Sequence, residues 1–324
     1  MTEFEFIRRY FSKQQHDSNV VLGIGDDAAI VRPKAGYDLH FSSDMLLAGR
    51  HFFEDMNPED LAHKILSVNI SDMAAMGAIP RWVLLNAALP SLDEKWLEAF
   101  SGSLFNVLSR YNISLIGGDT TKGDLIFSVT IIGETPCGKA LRRDAAQNGD
   151  DIWVSGVLGS AAAALRHRLG DLYLPEAVHK LCEPALLRPI PRVDLGTLLL
   201  PLAHAAQDIS DGLAQDLGHI LTASAKGAIL YADKVPVLPE LLSLTRAGGL
   251  SWSQFYDCIL AGGDDYELVF TAPPQVRAEI EQAGAASGAT VRRVGQINNT
   301  GYLNIVDTAG KELVLAKKGF DHFG

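Results

Sequence analysis

Val20-Val21-Leu22-Gly23-Ile24-Gly25-Asp26-Asp27-Ala28-Ala29-Ile30-Val31 is the stretch on which the fold turns. Gly23 to Ala28 satisfies G-x-G-x-x-A after an apolar run, and Asp44 stands near the spacing of a ribose-binding acid, as in a dinucleotide site. Two features exclude that reading. Asp26 and Asp27 set negative charge where a pyrophosphate belongs. A parallel crossover needs at least about ten residues, usually helical, and Pro33 and Gly36 interrupt the interval. The stretch is expected to form a β-hairpin.

Working outward, Asp38 to Ser42 alternates like a half-buried strand. Asn57-Pro58-Glu59 places an N-cap before a proline at the first helical position, and the helix it opens is expected to run to Gly77, with Pro80 beyond. Ser91-Leu92-Asp93-Glu94 has capping-box spacing, and Trp96, Phe100, Leu104, Leu108 and Tyr111 follow at helical intervals. Two β-rich runs, Ile113 to Ile116 and Leu125 to Ile132, are expected to be joined by a loop from Gly117 to Gly123. The second half opens strand–turn–helix, with Ile152 to Ser155, Gly156 to Gly159 and Ser160 to Leu169. A helix over Asp211 to Ala225 follows, with strands near Ala228 and over Leu268 to Thr271. The fold class expected is α/β (α+β) in two domains, 1–136 and 151–324, joined by a polar linker over 137–150.

The chain has 324 residues, a soft prior of two domains. Apolar residues make up 47% and charged residues 21%, which excludes a disordered or fibrous chain. A formal net charge of −11 argues against nucleic acid or an anionic membrane as partner. Met1 to Glu5 shows no basic, then apolar, leader pattern, and the richest apolar run, Leu195 to Ala206, is broken by Pro201. Cys137, Cys182 and Cys258 lack metal-ligand spacing and read as free thiols of a reducing compartment. The expectation is a soluble, cytoplasmic protein.

Aspartates gather beside small residues at the ends of apolar runs. The clusters are Gly25-Asp26-Asp27, Ser42-Ser43-Asp44, Asn69-Ile70-Ser71-Asp72, Gly117-Gly118-Asp119-Thr120, Asp208-Ile209-Ser210-Asp211-Gly212 and Gly262-Gly263-Asp264-Asp265. Any one of these is ordinary turn chemistry, but six such clusters call for a further cause. Asp72 is the sharpest case, because Ile65, Asn69, Asp72 and Met76 share one helix face that is otherwise apolar. A carboxylate there costs several kcal/mol unless it is paired, protonated or bound to a metal. With no clustered His or Cys, carboxylates and hydroxyls suit a hard cation such as Mg²⁺, and small neighbours let backbone N–H groups approach phosphate oxygens.

Taken in order, these clusters resemble the thiamine-monophosphate kinase family, of the superfamily that includes aminoimidazole-ribonucleotide synthetase. The resemblance runs from Gly23-Ile-Gly-Asp-Asp-Ala through Asn69-Ile-Ser-Asp-Met-Ala-Ala-Met-Gly-Ala, Gly117-Gly-Asp-Thr-Thr and Asp208-Ile-Ser-Asp-Gly-Leu. It continues through Gly262-Gly-Asp-Asp-Tyr-Glu-Leu to Lys318-Gly-Phe-Asp-His-Phe. It implies a kinase that transfers the γ-phosphoryl group of ATP to thiamine monophosphate with several Mg²⁺ ions. It also implies a homodimer paired through its N-terminal sheets and a site between domains. By matched position, Asp27, Ser42, Ser43, Asp44, Asp72, Asp119, Asp208 and Asp211 would be metal ligands. Gly118, Asp119, Arg143 and Ser210 would contact ATP, and His51, Asp264 and Phe320 the substrate. The catalytic set it implies is Asp44, Asp72, Asp119 and Asp211.

Two positions depart from the family pattern. Asp264 stands where the family usually has Glu, and Phe320 where it often has Trp or Tyr. Plainer readings stand beside the site roles: a loop histidine for His51, a docked C-terminus for Phe320 and Phe323, and a solvated pair for Arg142 and Arg143. His322, Lys122 and Trp153 are given structural roles only. A selenophosphate synthetase is disfavoured because the first cysteine is Cys137. A regulatory module that binds ATP or metal without catalysis is the alternative of a different class.

Overall fold

A computed structural model describes residues 3–12, 18–315, 317 and 319–320. The chain divides into two units, Met1–Met73 with Ala78–Lys139, and Ala74–Gly77 with Ala140–Gly324. In the first, α1 (Glu3–Tyr10) precedes β1 (Val20–Leu22), β2 (Ile30–Val31), β3 (Tyr37–Leu47) and α2 (Pro58–Ala75). Then come β4 (Ile79–Leu89), α3 (Glu94–Arg110), β5 (Ser114–Lys122) and β6 (Ile126–Pro136).

The expected hairpin is present: β1 and β2 pair antiparallel. The main sheet has the order β3-β6-β4-β5, antiparallel except for the parallel β4–β5 pair. Alternation along β3 sorts its side chains. Ser42, Asp44 and Leu46 turn toward α2, while Leu39, Phe41, Ser43 and Met45 share the opposite face. On that opposite face the hairpin covers Trp82, Ile116 and Ile132. On the helical face α3 stacks Phe100 against Phe127 with ring centroids 5.0 Å apart, and both side chains are fully buried. Each such burial contributes about 2 kcal/mol.

Three local expectations are corrected. The β3 strand runs to Leu47, past the polar Ser42-Ser43-Asp44, because β6 pairs with it along its whole length. The segment from Gly117 is not a loop. It continues β5 to Lys122, paired with β4 through Leu85↔Gly118 and Asn86↔Asp119. Gly118 permits this by adopting φ +142° where a Cβ would lie 1.8 Å from the Leu85 carbonyl oxygen. The N-cap of α3 is Asp93, whose Oδ1 accepts from Trp96 N at 2.9 Å, and not Ser91.

The second unit contains β7 (Asp151–Ser155), α4 (Ser160–Leu169), α5 (Glu176–Leu187), α6 (Val193–Leu199), β8 (Ala205–Asp208) and α7 (Leu213–Ala223). These are followed by β9 (Gly227–Tyr231), α8 (Pro239–Arg246), α9 (Trp252–Ala261), β10 (Leu268–Ala272), α10 (Arg277–Ser287), β11 (Val291–Asn298) and β12 (Leu303–Val306). Its sheet has the order β12-β9-β11-β7-β10-β8, antiparallel except for β12 beside β9. The α7 helix starts two residues later than Asp211, because Asp211 and Gly212 form the turn out of β8. Among the described residues no helix is long and apolar enough to cross a membrane.

Candidate functional site

In the first unit, α2 brings Asn69 and Asp72 against β3. Ser42 Oγ donates to Asp72 Oδ2 at 2.5 Å, and Asp44 N donates to Asn69 Oδ1 at 3.1 Å. Asn69 is fixed in turn by its Nδ2 donating to Ile65 O at 2.9 Å, one helical turn back. Burial, and then the Asp72 carboxylate opposite, push the Asp44 carboxyl up to about 6. Ser43 stands apart from this group. Its hydroxyl meets Val129 O and Thr130 Oγ1, each at 3.1 Å, on the other face of the strand. Asp27, Gly118 and Asp119 line a cavity of about 710 Å³ in the same unit, together with the turn from Gly23 to Ala28. His51 follows β3, and its Nδ1 accepts from Leu47 N at 3.1 Å, which fixes the neutral ring as the Nε2–H tautomer.

In the second unit, two loops are laced together at the ends of adjacent strands. The turn Asp208–Gly212 leaves β8, and the strap Gly262–Glu267 enters β10. Asp264 N donates to Ser210 O at 2.8 Å, Tyr266 N to Ile209 O at 2.8 Å, and Ile209 N to Glu267 O at 2.7 Å. Gly263 makes the approach possible, since a Cβ there would lie 2.2 Å from Ser210 O. Asp264 and Tyr266 have φ of +67° and +49°, a left-handed conformation that costs a non-glycine residue of order 1 kcal/mol or more. Asp265, between them, is buried, and both its carboxylate oxygens accept from Gly159 N, at 3.0 and 3.1 Å. Burial raises its carboxyl well above the usual carboxylate range.

Asp216 is a candidate ligand that the pattern of Asp beside Gly or Ser did not single out. It sits in the first turn of α7, where Asp211 N and Gly212 N donate to its Oδ2 at 3.0 Å each and Gln207 Nε2 to its Oδ1 at 2.8 Å. Burial, followed by the charge of Asp211, pushes its carboxyl up to about 7 against the pull of the backbone N–H groups of Asp211, Gly212 and Ser210. Ligand atoms of Asp211, Asp216 and His219 all lie within 4.8 Å of one another. The available signal was positional: Asp216 lies four residues after Gly212, in a helix's first turn, where a carboxylate meets unpaired N–H groups. Asp208 is buried at the end of β8. Arg142 is held by Asp144 at 2.5 Å, whereas Arg143 makes no ion pair among the described residues. Phe320 N donates to Asp211 O at 3.1 Å, and the residue is 41% exposed. Lys318, Asp321, His322 and Phe323 lie outside the described residues.

The donors at both places are oxygens, with one imidazole at the second. A raised carboxyl facing a second carboxylate is an arrangement that a hard divalent cation relieves, so the residues present fit Mg²⁺.

Residues 25–135 match the family model "AIR synthase related protein, N-terminal domain", and residues 147–308 match that of its C-terminal domain. The chain is 42% identical to the thiamine-monophosphate kinase of Salmonella typhimurium over 99% of this chain and 98% of that protein. It is 34% identical to that of Bacillus subtilis over the full length of both. Among solved structures it is similar to a thiamine-monophosphate kinase from Stenotrophomonas maltophilia, with a TM-score of 0.86 and 42% identity over 97% of this chain and 98% of that one. It is also similar to a ThiL protein complexed with AMPPCP and TMP, with a TM-score of 0.76 and 28% identity over 99% and 96% of the two chains. A hydrogenase maturation protein, HypE, shares the fold at 20% identity and a TM-score of 0.74.

Proposed function

We propose that this chain, which belongs to the thiamine-monophosphate kinases of the AIR synthase related family, transfers the γ-phosphoryl group of ATP to thiamine monophosphate, giving thiamine diphosphate and ADP. The observation within the molecule that carries the reading is the Asp44–Asp72 pair. It is an arrangement that disfavours two anions unless cations join them, in a chain similar to a ThiL protein complexed with AMPPCP and TMP.

The acceptor is itself a phosphate, so its oxygen is already largely deprotonated near neutral pH and no strong general base is required of the chain. The obstacle is repulsion. At about 5 Å and an effective dielectric of about 20, each like-charged pair costs roughly 3 kcal/mol. Asp27, Ser42, Asp44, Asp72, Asp119, Asp208 and Asp211 would hold several Mg²⁺ ions, whose contribution when bound is to neutralise and align the phosphates. The Ser43 hydroxyl, turned toward Val129 and Thr130, fits that set least. Gly118, Asp119, Arg143 and Ser210 would contact ATP; Gly118 and Asp119 are exposed on β5, and Arg143 makes no ion pair among the described residues. His51, Asp264 and Phe320 would contact thiamine monophosphate. Asp264, one methylene shorter than the usual Glu, keeps its place through a backbone bond to Ser210. Asp44, Asp72, Asp119 and Asp211 would form the catalytic set.

A homodimer is part of the same reading. It is supported by the edge strand β3, where Phe41 and Met45 stand 68% and 58% exposed on one face. A cytoplasmic location is supported by three cysteines that form no disulfide.

Phosphorus NMR of the protein with ATP, Mg²⁺ and thiamine monophosphate tests the reaction, with free thiamine and a metal-free sample as controls. Thiamine diphosphate and ADP are expected to appear in step, and only with the monophosphate and the metal. ATP left intact by folded protein would select the alternative of a non-catalytic binding module.

A further inference from the structure

Gln215, on the first turn of α7, has a single side-chain amide nitrogen with two hydrogens to give. Its Nε2 donates to Asp211 Oδ2 at 3.1 Å and to the Phe320 carbonyl oxygen at 3.1 Å. A third bond runs beside these, from Phe320 N to Asp211 O at 3.1 Å. One residue earlier, Gly319 lies so close to α7 that a Cβ would come within 2.4 Å of Gln215 Oε1 and 2.8 Å of Asp211 O. Upstream, among the described residues, the C-terminal segment is tied to the sheet by Leu313 N donating to Ile305 O at 2.8 Å, and Val314 just beyond is 90% exposed. The segment is therefore held at Leu313 and again at Gly319–Phe320, and the second hold runs through Gln215 and the Asp211 main chain.

We propose that Gln215 is a positioning residue for thiamine monophosphate, clasping the C-terminal segment to the Asp211 turn so that the Phe320 ring is kept in register with it. This rests on the kinase reading and on Phe320 as its aromatic substrate contact. Gln215 itself touches neither substrate in this assignment. Its amide replaces solvent at the Phe320 carbonyl, and the bare Gly319 backbone allows the fit.

Gln215→Leu keeps much of the volume and removes both donors; Gly319→Ala pushes on the same contact from the other side. Each is expected to raise KM for thiamine monophosphate about five- to tenfold, the worth of one or two hydrogen bonds. KM for ATP and kcat are expected to stay within about twofold, since water can take the place of the Gln215 amide at the half-buried Asp211 carboxylate. In substrate-free protein, hydrogen exchange at the Phe320 amide is expected to quicken while peptides from the strands β7 and β11 stay as in the wild type. Unchanged KM and unchanged exchange would overturn the clasp. A shifted Mg²⁺ requirement with an unaltered KM for thiamine monophosphate would also overturn it, by assigning Gln215 to the Asp211 carboxylate alone. Faster exchange in Gln215→Leu with a wild-type KM in Phe320→Ala would overturn its bearing on substrate. Wild-type protein that leaves thiamine monophosphate unconverted overturns the kinase reading instead, and the exchange measurement still judges the clasp.

Discussion

Asp44 carries a carboxyl pushed up to about 6 by burial and by Asp72, while Ser42 and Asn69 hold the surroundings in place. Asp44→Asn and Asp72→Asn each keep the shape of the side chain and remove a charge. Each is expected to lower kcat by about a hundredfold or more, with circular dichroism and Tm close to wild type. Steady-state turnover checks this, and a near-normal rate in either variant removes that residue from the catalytic set. Asp265 gives a prediction about stability and pH. Its folded carboxyl titrates well above the ordinary value because burial penalises the charge. The stability due to its protonated form is therefore complete below the unfolded value near ~4 and is lost as pH rises through the folded one. Asp265→Asn cannot ionise and retains an oxygen for Gly159 N. Thermal melts at pH 5 and pH 8 should show the wild type losing ground to the variant at the higher pH, and parallel curves would refute the assignment. Asp72 was legible in the sequence because helical spacing alone sets it on an apolar stripe. Asp216 was not, since its partners are backbone N–H groups that exist only once α7 has formed.

The strands and helices of this chain follow their local signals where those signals are steric. The Asn57-Pro58 start of α2, the hairpin of β1 and β2 and the Ser160–Leu169 helix all stand where turn chemistry and caps place them. They fail where a tertiary partner overrides composition. Gly117-Gly118-Asp119-Thr120 has the look of a loop, yet β4 pairs with it in parallel and holds it extended. That override predicts an intolerant position. Gly118→Ala would drive a methyl into the Leu85 carbonyl, backbone that can retreat only by opening the β4–β5 pairing. A loss of about 3 kcal/mol or more is expected, read as a lowered urea midpoint. A midpoint within error of wild type would mean that the strand accommodates a side chain there. Ser91 failed for a different reason: both Ser91 and Asp93 satisfy capping chemistry by sequence, and only the path of the chain selects Asp93.

For the molecule as a whole, β3 is the surface that calls for a partner. It is an edge strand of eleven residues with Phe41 and Met45 exposed on one face, a surface that tends to aggregate unless something pairs with it. Under the proposed homodimer, Phe41→Glu should convert the particle to a monomer in light scattering while the far-UV spectrum is kept. A wild-type protein already monomeric at micromolar concentration would refute the pairing. No property of the sequence alone marked Phe41 as exposed, because alternation tells which residues share a face but not which face stays uncovered. The strap Gly262–Glu267 has a consequence of another kind. It is joined to the Asp208–Gly212 turn by main-chain groups, so mutation at 264 leaves the anchor point where it is and alters only the length of the arm. A Glu placed at 264 would lengthen the arm by one methylene about a fixed shoulder, so the reach of the carboxylate can be changed at this position without rebuilding the loop that carries it.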